Sequence, residues 1–314
     1  MQTISDLTRK MKLPSKVEPL FVSHPFDYDI YIMRDDLIHP FISGNKWRKL
    51  KYNLIHFLES NHDGIISVGG AFSNHLVALS AACYGLNIPC AGIVRSHKIH
   101  NTNPSLNVCR QFGMRLVPLS PNQYAGRYSD GFISDKTHFA NAFFIPEGGS
   151  NNYHYKGCEQ LINELDFVPD YIVLPIGTGG TAAALANVES QIKIIGISPF
   201  REGKVHIPYL NEIINPHKVI YDFALNGYGR YHKRIVEYIN DFWSNYGIPL
   251  DPIYNAKGMM GFQALLENKQ FPTGSKILYI HTGGLQGIAG FNMLHSKKIS
   301  IQIPRHLYLP ALDL

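Results

Sequence analysis

The sequence predicts an α/β protein built on two open, twisted and mostly parallel sheets that are flanked by helices. From about residue 64 onward, short apolar runs alternate with helical patterns. The runs are apolar throughout rather than at every second position, which is typical of strands that helices cover on both faces. The chain has 314 residues, a length that suits about two domains.

The apolar runs predict strands, and helical patterns follow all but one of them. The predicted strands are GIISVGG, PCAGIVR, AFFIPEGG, YIVLPIGTGG, IKIIGISP and KILYIHTGG. The helices that follow them are SNHLVALSAACYGL, PSLNVCRQFG, NYHYKGCEQLINEL, TAAALANVES and LQGIAGFNML. An irregular stretch follows IKIIGISP. Ahead of all of these, an amphipathic helix begins within FISGNKWRKLKYNL.

Composition argues against several classes of protein. Hydrophobic residues make up 45% and charged residues 17% of the chain, as in ordinary globular proteins. The net charge of +5 is mild and its basic residues are scattered, so we expect no nucleic-acid partner. The N-terminal segment lacks the apolar core of a signal peptide, and no apolar run approaches about 18 residues. We therefore predict a cytoplasmic protein with no membrane partner.

The cysteines give no sign of a metal site or a disulfide framework. Cys83, Cys90, Cys109 and Cys158 show neither CxxC spacing nor a companion pair of histidines. We expect buried free thiols and no bound metal.

Five of the predicted strands end in unusual segments, most of them glycine-rich. These segments are GGAFSNH, PEGGSNN, PIGTGGT, SPFREG and HTGGLQG, and all but SPFREG contain Gly-Gly. In open α/β sheets the ligand lies beyond the carboxyl ends of the strands, and Gly-Gly lets a ligand approach the backbone closely. We expect these segments to meet at one binding site.

The segment GTGGT is suited to binding a phosphate. It follows a strand and opens an Ala-rich helix, so its backbone N–H groups and the hydroxyls of Thr178 and Thr181 can bind an anion. A helix N-cap with glycines for packing explains the segment equally well. The segment lacks the Gly-Lys-Ser/Thr ending of a P-loop, which disfavours nucleotide hydrolysis.

A dinucleotide site is a weaker alternative. Gly177, Gly179 and Ala182 fit Gly-x-Gly-x-x-Ala, but the next strand does not end in the acidic residue that holds a ribose. Glu202 comes only after that strand should have ended. Nicotinamide binding therefore takes second place.

Lys46 lies in the first turn of the amphipathic helix. The apolar stripe of that helix consists of Trp47, Leu50, Leu54, Phe57 and Leu58. Lys46 and Lys51 lie at opposite margins of the stripe, whereas Arg48 and Lys49 are expected to face water. The helix dipole and burial both lower the pKa of an amine in the first turn, which suits a Schiff base. Together with a phosphate site, such a lysine points to pyridoxal phosphate.

Several segments resemble one family of enzymes. RDDLIHPFISGNKWRKL, SVGGAFSNH, PEGGSN, GTGGT, DPIYNAKGMMG and HTGG occur in the order found in the pyridoxal-phosphate-dependent 1-aminocyclopropane-1-carboxylate deaminase and D-cysteine desulfhydrase family. The resemblance runs from about residue 34 to residue 290. It implies the tryptophan-synthase-β-like fold type II and a homodimer. The large domain would hold residues 1–47 and 151–314 and the small domain residues 48–150, with the cofactor between them.

The resemblance also implies roles for individual residues. Lys46 would form the Schiff base with the cofactor, and Asn74 would hydrogen-bond its phenolic oxygen. Tyr254 would stack near the cofactor and take part in acid/base chemistry, and Thr282 would face the pyridine nitrogen. The phosphate would be held by Gly177, Thr178, Gly179, Gly180 and Thr181.

The substrate site would be formed by residues of GGAFSNH. Ser73 and His75 would lie near the substrate carboxylate, Ser73 also being a catalytic candidate, and Phe72 would line the pocket. Phe72 stands where the family commonly has Gln, and Leu76 and Val77 stand where an Arg is usual. These departures leave the substrate pocket open to a larger or less polar amino acid.

Ordinary structural roles explain each of these residues when it is taken alone. Asn74 could cap a helix with Ser73 beside it, and His75 could be a satisfied core histidine. Tyr254 could pack in an interface, and Thr282 could be a turn residue. Only their position in one set of strand ends and helix starts favours the site.

The predicted function is elimination from a small amino acid. Asn255 follows Tyr254 where the deaminases have Glu, and a neutral Thr282 hydroxyl does not strongly favour a protonated ring. We therefore expect D-cysteine desulfhydrase chemistry, giving pyruvate, ammonia and sulfide. Opening of 1-aminocyclopropane-1-carboxylate is the alternative within the class. A nicotinamide-dependent oxidoreductase and a non-catalytic amino-acid-binding protein are alternatives of other classes.

Overall fold

Two mostly parallel sheets flanked by helices form the framework, as predicted. The computed structural model describes residues 3–129, 132, 139–188, 191–203, 209, 211, 213 and 218–311. Its strands are β1 (Val17–Pro19), β2 (Asp29–Met33), β3 (Gly64–Gly70), β4 (Cys90–Arg95), β5 (Arg115–Leu119), β6 (Ala142–Ile145), β7 (Tyr171–Pro175), β8 (Lys193–Ile197), β9 (Lys218–Ile220) and β10 (Lys276–Ile280).

The helices pack on the faces of these sheets. They are α1 (Ile4–Arg9), α2 (Asn45–Leu58), α3 (Asn74–Leu86), α4 (Pro104–Gln111), α5 (Pro121–Ala125), α6 (His154–Asn163), α7 (Gly180–Ala186), α8 (Lys233–Tyr246), α9 (Asn255–Glu267) and α10 (Gly287–Leu294). None of the helices in the described part of the chain combines the length and the hydropathy needed to span a bilayer.

The larger sheet has the strand order β1-β2-β10-β7-β8-β9. β1 pairs with β2 in the antiparallel direction, and the other described pairs are parallel. Successive side chains of β7, such as Val173 and Leu174, are buried in two different hydrophobic clusters, one on each face of the sheet. Burial on both faces explains why these strands are apolar throughout.

The smaller sheet has the order β5-β4-β3-β6, and all of its pairs are parallel. Its strands lie between residues 64 and 145, within the predicted small domain, and those of the larger sheet lie outside it. The exact domain boundaries, 1–47 with 151–314 and 48–150, stay a prediction.

The strands β1, β2, β5 and β9 and the helices α1, α5, α8 and α9 were not predicted. β1 and β9 are only three residues long and lie at the edges of their sheet. β5 is an edge strand that contains Pro118, which weakens its sequence signal. Their positions are decided by pairing with distant segments of the chain.

The prediction that Arg48 faces water is wrong. Its side chain is 1% exposed, and it donates hydrogen bonds to Asp35 at 2.9 Å and to Glu164 at 2.8 Å. Ser15 accepts a further bond from Arg48 at 2.9 Å. A buried guanidinium is tolerated because carboxylates that are distant in the sequence pair with it. This network joins α2 to α6 and to the segment that precedes α2.

The described cysteines are buried free thiols, as expected. Among the described residues, no group of three or more His, Cys, Asp or Glu side chains is placed to hold a metal ion.

Candidate active site

The carboxyl ends of strands from both sheets meet, as the glycine-rich segments predicted. Gly148, after β6, is so close to the loop after β7 that an added Cβ would lie 3.1 Å from Thr178. Gly284, after β10, approaches Asn74 after β3, where the corresponding distance to Nδ2 is 2.6 Å. Loops from two separate sheets therefore face one another at a single site.

Lys46 lies at this meeting point, in the first turn of α2. Gly44, just before the helix, has a φ of 65°, and an added Cβ there would lie 1.9 Å from the carbonyl oxygen of Thr282. Only glycine permits this approach, which sets the start of α2 directly against the end of β10. The Lys46 amine donates to Asn45 Oδ1 at 2.6 Å. Burial, followed by the charge of Lys49, lowers the pKa of Lys46 to about 7.

Lys49 also belongs to the site, which contradicts the expectation that it faces water. Its side chain is 2% exposed. The amine donates to Ser150 Oγ at 2.8 Å and to Thr178 Oγ1 at 3.2 Å, and the two hydroxyls lie 2.8 Å apart. Burial lowers the pKa of Lys49 to about 8. A buried amine whose partners among the described residues are hydroxyls is suited to binding an anion at this loop.

The segment from Gly177 to Thr181, called the phosphate loop below, fits a phosphate group. The groups gathered around it are hydroxyls of Thr178 and Ser150, the Lys49 amine and the backbone of two consecutive glycines. The side chain of Thr181 is buried and accepts a hydrogen bond from Asn45 at 3.1 Å. Donors of this kind match the oxygens of a phosphate dianion. The residues present therefore fit the phosphate of pyridoxal phosphate.

Tyr254 lies beside the phosphate loop. An added Cβ at Gly177 would come 3.1 Å from its ring. The Tyr254 hydroxyl donates to the hydroxyl of Tyr228 at 3.2 Å, and the Tyr228 ring stacks on Phe200 at 5.2 Å. Burial, followed by the Tyr228 hydroxyl, raises the pKa of Tyr254 well above its ordinary value of 10. Tyr254 therefore holds its proton at neutral pH.

Asn255 clamps the loop that carries Thr282. The Asn255 amide donates to Asp251 at 2.7 Å and to the carbonyl of Gly283 at 2.8 Å. Its Oδ1 accepts from the backbone N–H of Thr282 at 3.1 Å. Asp251 is buried, and it also accepts backbone N–H groups at the start of α9. Two of these contacts thus fix the segment after β10, and the third anchors the Asn255 amide to Asp251.

Ser73 and Asn74 stand at the start of α3. Ser73 is the N-cap, and its Oγ accepts from the backbone N–H of Leu76 at 3.2 Å. The capping alternative for these residues therefore applies to Ser73 rather than to Asn74. Asn74 turns toward Gly284, and its Oδ1 is buried with no hydrogen-bond partner in the described part of the chain. A ligand group at this point would satisfy it.

His75 is a neutral buried imidazole. Its Nε2 lies 2.8 Å from Ser67 Oγ, and Ser67 donates its own proton to the carbonyl of Ile145 at 2.7 Å. Nε2 must therefore carry the proton, which leaves Nδ1 as an acceptor. Nδ1 has no partner among the described residues. Burial, followed by the charges of Lys46 and Lys49, lowers the pKa of His75 to about 3, so its side chain offers no positive charge to a carboxylate.

Phe72 packs against α10. An added Cβ at Gly290 of α10 would lie 2.3 Å from the Phe72 ring. The ring therefore occupies the space that a side chain at position 290 would take. Its contact with α10 is an observation; its role in a substrate pocket stays a prediction.

Sequence reasoning missed Lys49, Ser150 and Tyr228. Lys49 carried no signal because a charged residue on an amphipathic helix is ordinarily solvated. Ser150 could have been found, since it directly follows the strand end PEGG. Tyr228 lies between Gly227 and Gly229 in a loop that follows no predicted strand, and its contact with Tyr254 identifies it.

Comparisons with known proteins agree with this geometry. A family model described as pyridoxal-phosphate dependent enzyme matches residues 16–283. A Thermotoga maritima protein, named provisionally as a 1-aminocyclopropane-1-carboxylate deaminase, is 30% identical over 85% of this chain and 92% of that protein. The mitochondrial bifunctional D-cysteine desulfhydrase/1-aminocyclopropane-1-carboxylate deaminase of Arabidopsis thaliana is 26% identical over 84% of this chain and 74% of its own length.

A solved structure is similar over nearly the whole chain. The crystal structure of a homologue of 1-aminocyclopropane-1-carboxylate deaminase superposes with a TM-score of 0.69 at 27% identity. The match covers 91% of this chain and 96% of that one. These likenesses do not favour the nicotinamide-dependent alternative.

Proposed function

Because the chain belongs to the family of pyridoxal-phosphate-dependent enzymes, we propose that it catalyses elimination from D-cysteine. The reaction consumes D-cysteine and water and yields pyruvate, ammonia and hydrogen sulfide. Membership in the family confirms the predicted cofactor and the prediction of an enzyme. The name of the bifunctional Arabidopsis relative supports the choice of substrate.

The bound cofactor supplies an aldehyde that condenses with amines and a ring that withdraws electrons. Lys49, Ser150 and Thr178 would hold its phosphate, and Thr282 would face its ring nitrogen. Lys46 is the amine placed to react with the aldehyde, because it lies between the phosphate loop and the end of β10.

Lys46 and Tyr254 would divide the acid/base work. A pKa of about 7 leaves a large share of Lys46 as the neutral amine at neutral pH, so its Nζ can accept the α-proton. Tyr254 keeps its proton because its pKa is raised, so its hydroxyl is suited to donate rather than to accept. We infer that Tyr254, with Tyr228 bonded to it, protonates the departing sulfur.

The Asn255 clamp is the observation that favours elimination over ring opening. The residue at this position has no ionisable group, and its amide is bonded to Asp251, Gly283 and Thr282. The ring nitrogen would therefore face a hydroxyl instead of a carboxylate, and a hydroxyl does not hold that nitrogen in its protonated form. A weaker electron sink suffices to expel a thiol but is poorly suited to opening a carbon ring.

We also propose that the protein acts in the cytoplasm as a homodimer. The family resemblance supports the dimer. The absence of a spanning helix from the described residues is compatible with this location. Light scattering on the purified protein measures the mass directly, and a monomer mass near 35.4 kDa would contradict the dimer.

Product analysis tests the function. Purified protein should show the yellow absorbance of the bound cofactor, and a Lys46→Ala variant should lose it. Pyruvate and sulfide should form from D-cysteine, and α-ketobutyrate should not form faster from 1-aminocyclopropane-1-carboxylate. Faster α-ketobutyrate formation would reverse the assignment, and a yellow protein that yields neither product from D- or L-amino acids would indicate a non-catalytic binder.

A further inference from the structure

His154 is a buried histidine next to the phosphate loop whose two ring nitrogens both face carbonyl oxygens. It is the first residue of α6 and is 0% exposed. Its Nε2 lies 2.9 Å from the carbonyl oxygen of Gly180, and its Nδ1 is in hydrogen-bond contact with that of Asn151. Carbonyl oxygens only accept hydrogen bonds. A neutral imidazole has one N–H and can donate to one of these carbonyls, whereas an imidazolium donates to both. The Asn151 carbonyl also accepts the backbone N–H of His154 at 3.1 Å.

His39 provides the opposite case in the same molecule. Its Nδ1 accepts from the backbone N–H groups of Phe41 at 3.1 Å and Ile42 at 3.0 Å, so this nitrogen carries no proton. Burial lowers the pKa of His39 to about 4. Two buried histidines are thus surrounded by opposite hydrogen-bonding groups, which makes their protonation states distinguishable in one experiment.

We propose that His154 is an imidazolium while a phosphate occupies the loop, and that it acts as a positioning residue for that phosphate. It fixes the carbonyl of Gly180, which lies within the loop. An added Cβ at Gly180 would lie 2.9 Å from His154 Nε2, 2.8 Å from Ser150 Oγ and 3.1 Å from Lys49 Nζ. Two cationic side chains therefore approach the same point of the loop, where a dianion compensates them both.

Groups from several elements act on the charge of His154. Lys49 faces it from α2, and Cys158 lies one turn further along α6. The rings of Tyr155 and Tyr209 lie 4.2 Å and 5.1 Å from the imidazole. The charge of Lys49 opposes protonation of His154, and a bound phosphate favours it. Protonation and phosphate binding should therefore support each other, by linkage, whichever amino acid is the substrate.

Nitrogen-15 NMR of the histidine side chains tests the charge in the full-length protein with its cofactor bound. About one pH unit above the ordinary histidine pKa of about 6.5, His154 should show two protonated ring nitrogens, and His39 should show the neutral pattern. His154→Gln, or through-bond assignment of the unaltered protein if that variant does not fold, identifies the signal. A neutral pattern for His154 would overturn the proposal.

Cofactor retention across pH separates this role from a purely structural one. In His154→Gln the dissociation constant for pyridoxal phosphate, measured by absorbance after dialysis, should rise about 10-fold near neutral pH because a charge-assisted bond is lost. The dissociation constants of the variant and the unaltered protein should become equal as the pH rises and the unaltered His154 loses its proton. If the variant loses the same affinity for pyridoxal phosphate at every pH, or loses none, the proposal is contradicted.

Discussion

Replacing Lys49 should weaken cofactor binding and at the same time stabilise the cofactor-free protein. Its amine is 2% exposed, and its pKa of about 8 lies below the ordinary value of 10.5. At pH 7 the folded protein therefore contains a buried charge, which lowers its free energy of unfolding. At about 1.4 kcal/mol per pH unit, this difference amounts to about 3 kcal/mol.

The sign of the pH dependence follows from these pKa values. Below pH 8 both the folded and the unfolded chain carry the proton, and the destabilisation is complete. Between pH 8 and 10.5 the unfolded chain binds more protons, so the stability of the unaltered protein rises with pH. Lys49→Met should thus be up to about 3 kcal/mol more stable at pH 7, an advantage that fades toward pH 10.5.

Two measurements on the same variant check this reasoning. Urea unfolding of the cofactor-free protein gives the stability, and absorbance titration with pyridoxal phosphate gives the affinity, which should fall about 10- to 100-fold as charge-assisted bonds are lost. Lys51→Met is the matched control, because Lys51 lies on the same helix, is half-buried and donates to Gln160 at 2.9 Å. If Lys49→Met binds the cofactor no worse than this control, Lys49 does not hold the phosphate.

Further predictions concern the Lys46 amine, the buried ion pair of Arg48, and the contact between Phe72 and α10. The elimination rate should rise with pH through about 7 as Lys46 loses its proton; a rate that is flat across this range would exclude Lys46 as the base. Arg48→Ala should lower the free energy of unfolding by about 3–5 kcal/mol, measured in urea, because Asp35 is left buried and unpaired; a loss below about 1 kcal/mol would mean that water replaces the pair. Gly290→Ala should displace the Phe72 ring and lower the melting temperature, and adding Phe72→Gln should restore it; additive effects would contradict the contact.

The fold and the position of the site could be predicted to a large extent from local patterns. The apolar runs such as GIISVGG and KILYI are strands because both faces of each are buried, and burial on both faces leaves a continuous signal in the sequence. The glycine-rich segments lie at carboxyl ends because close loop contacts, such as that of Gly284 with Asn74, exclude side chains. These constraints act on neighbouring residues, so the sequence alone reveals them.

The sequence did not determine which charged and polar side chains enter the site. Arg48 and Lys49 follow Lys46 on one helix, yet both are buried because carboxylates and hydroxyls from residues far along the chain meet them. Burial of a charge is favourable only when a partner is in place, and tertiary packing supplies that partner. For the same reason the Tyr228 contact and the paired carbonyls around His154 became visible only in the folded structure. Lys46 does lie in the first turn of α2, as its sequence position predicted, because the start of a helix is a local feature.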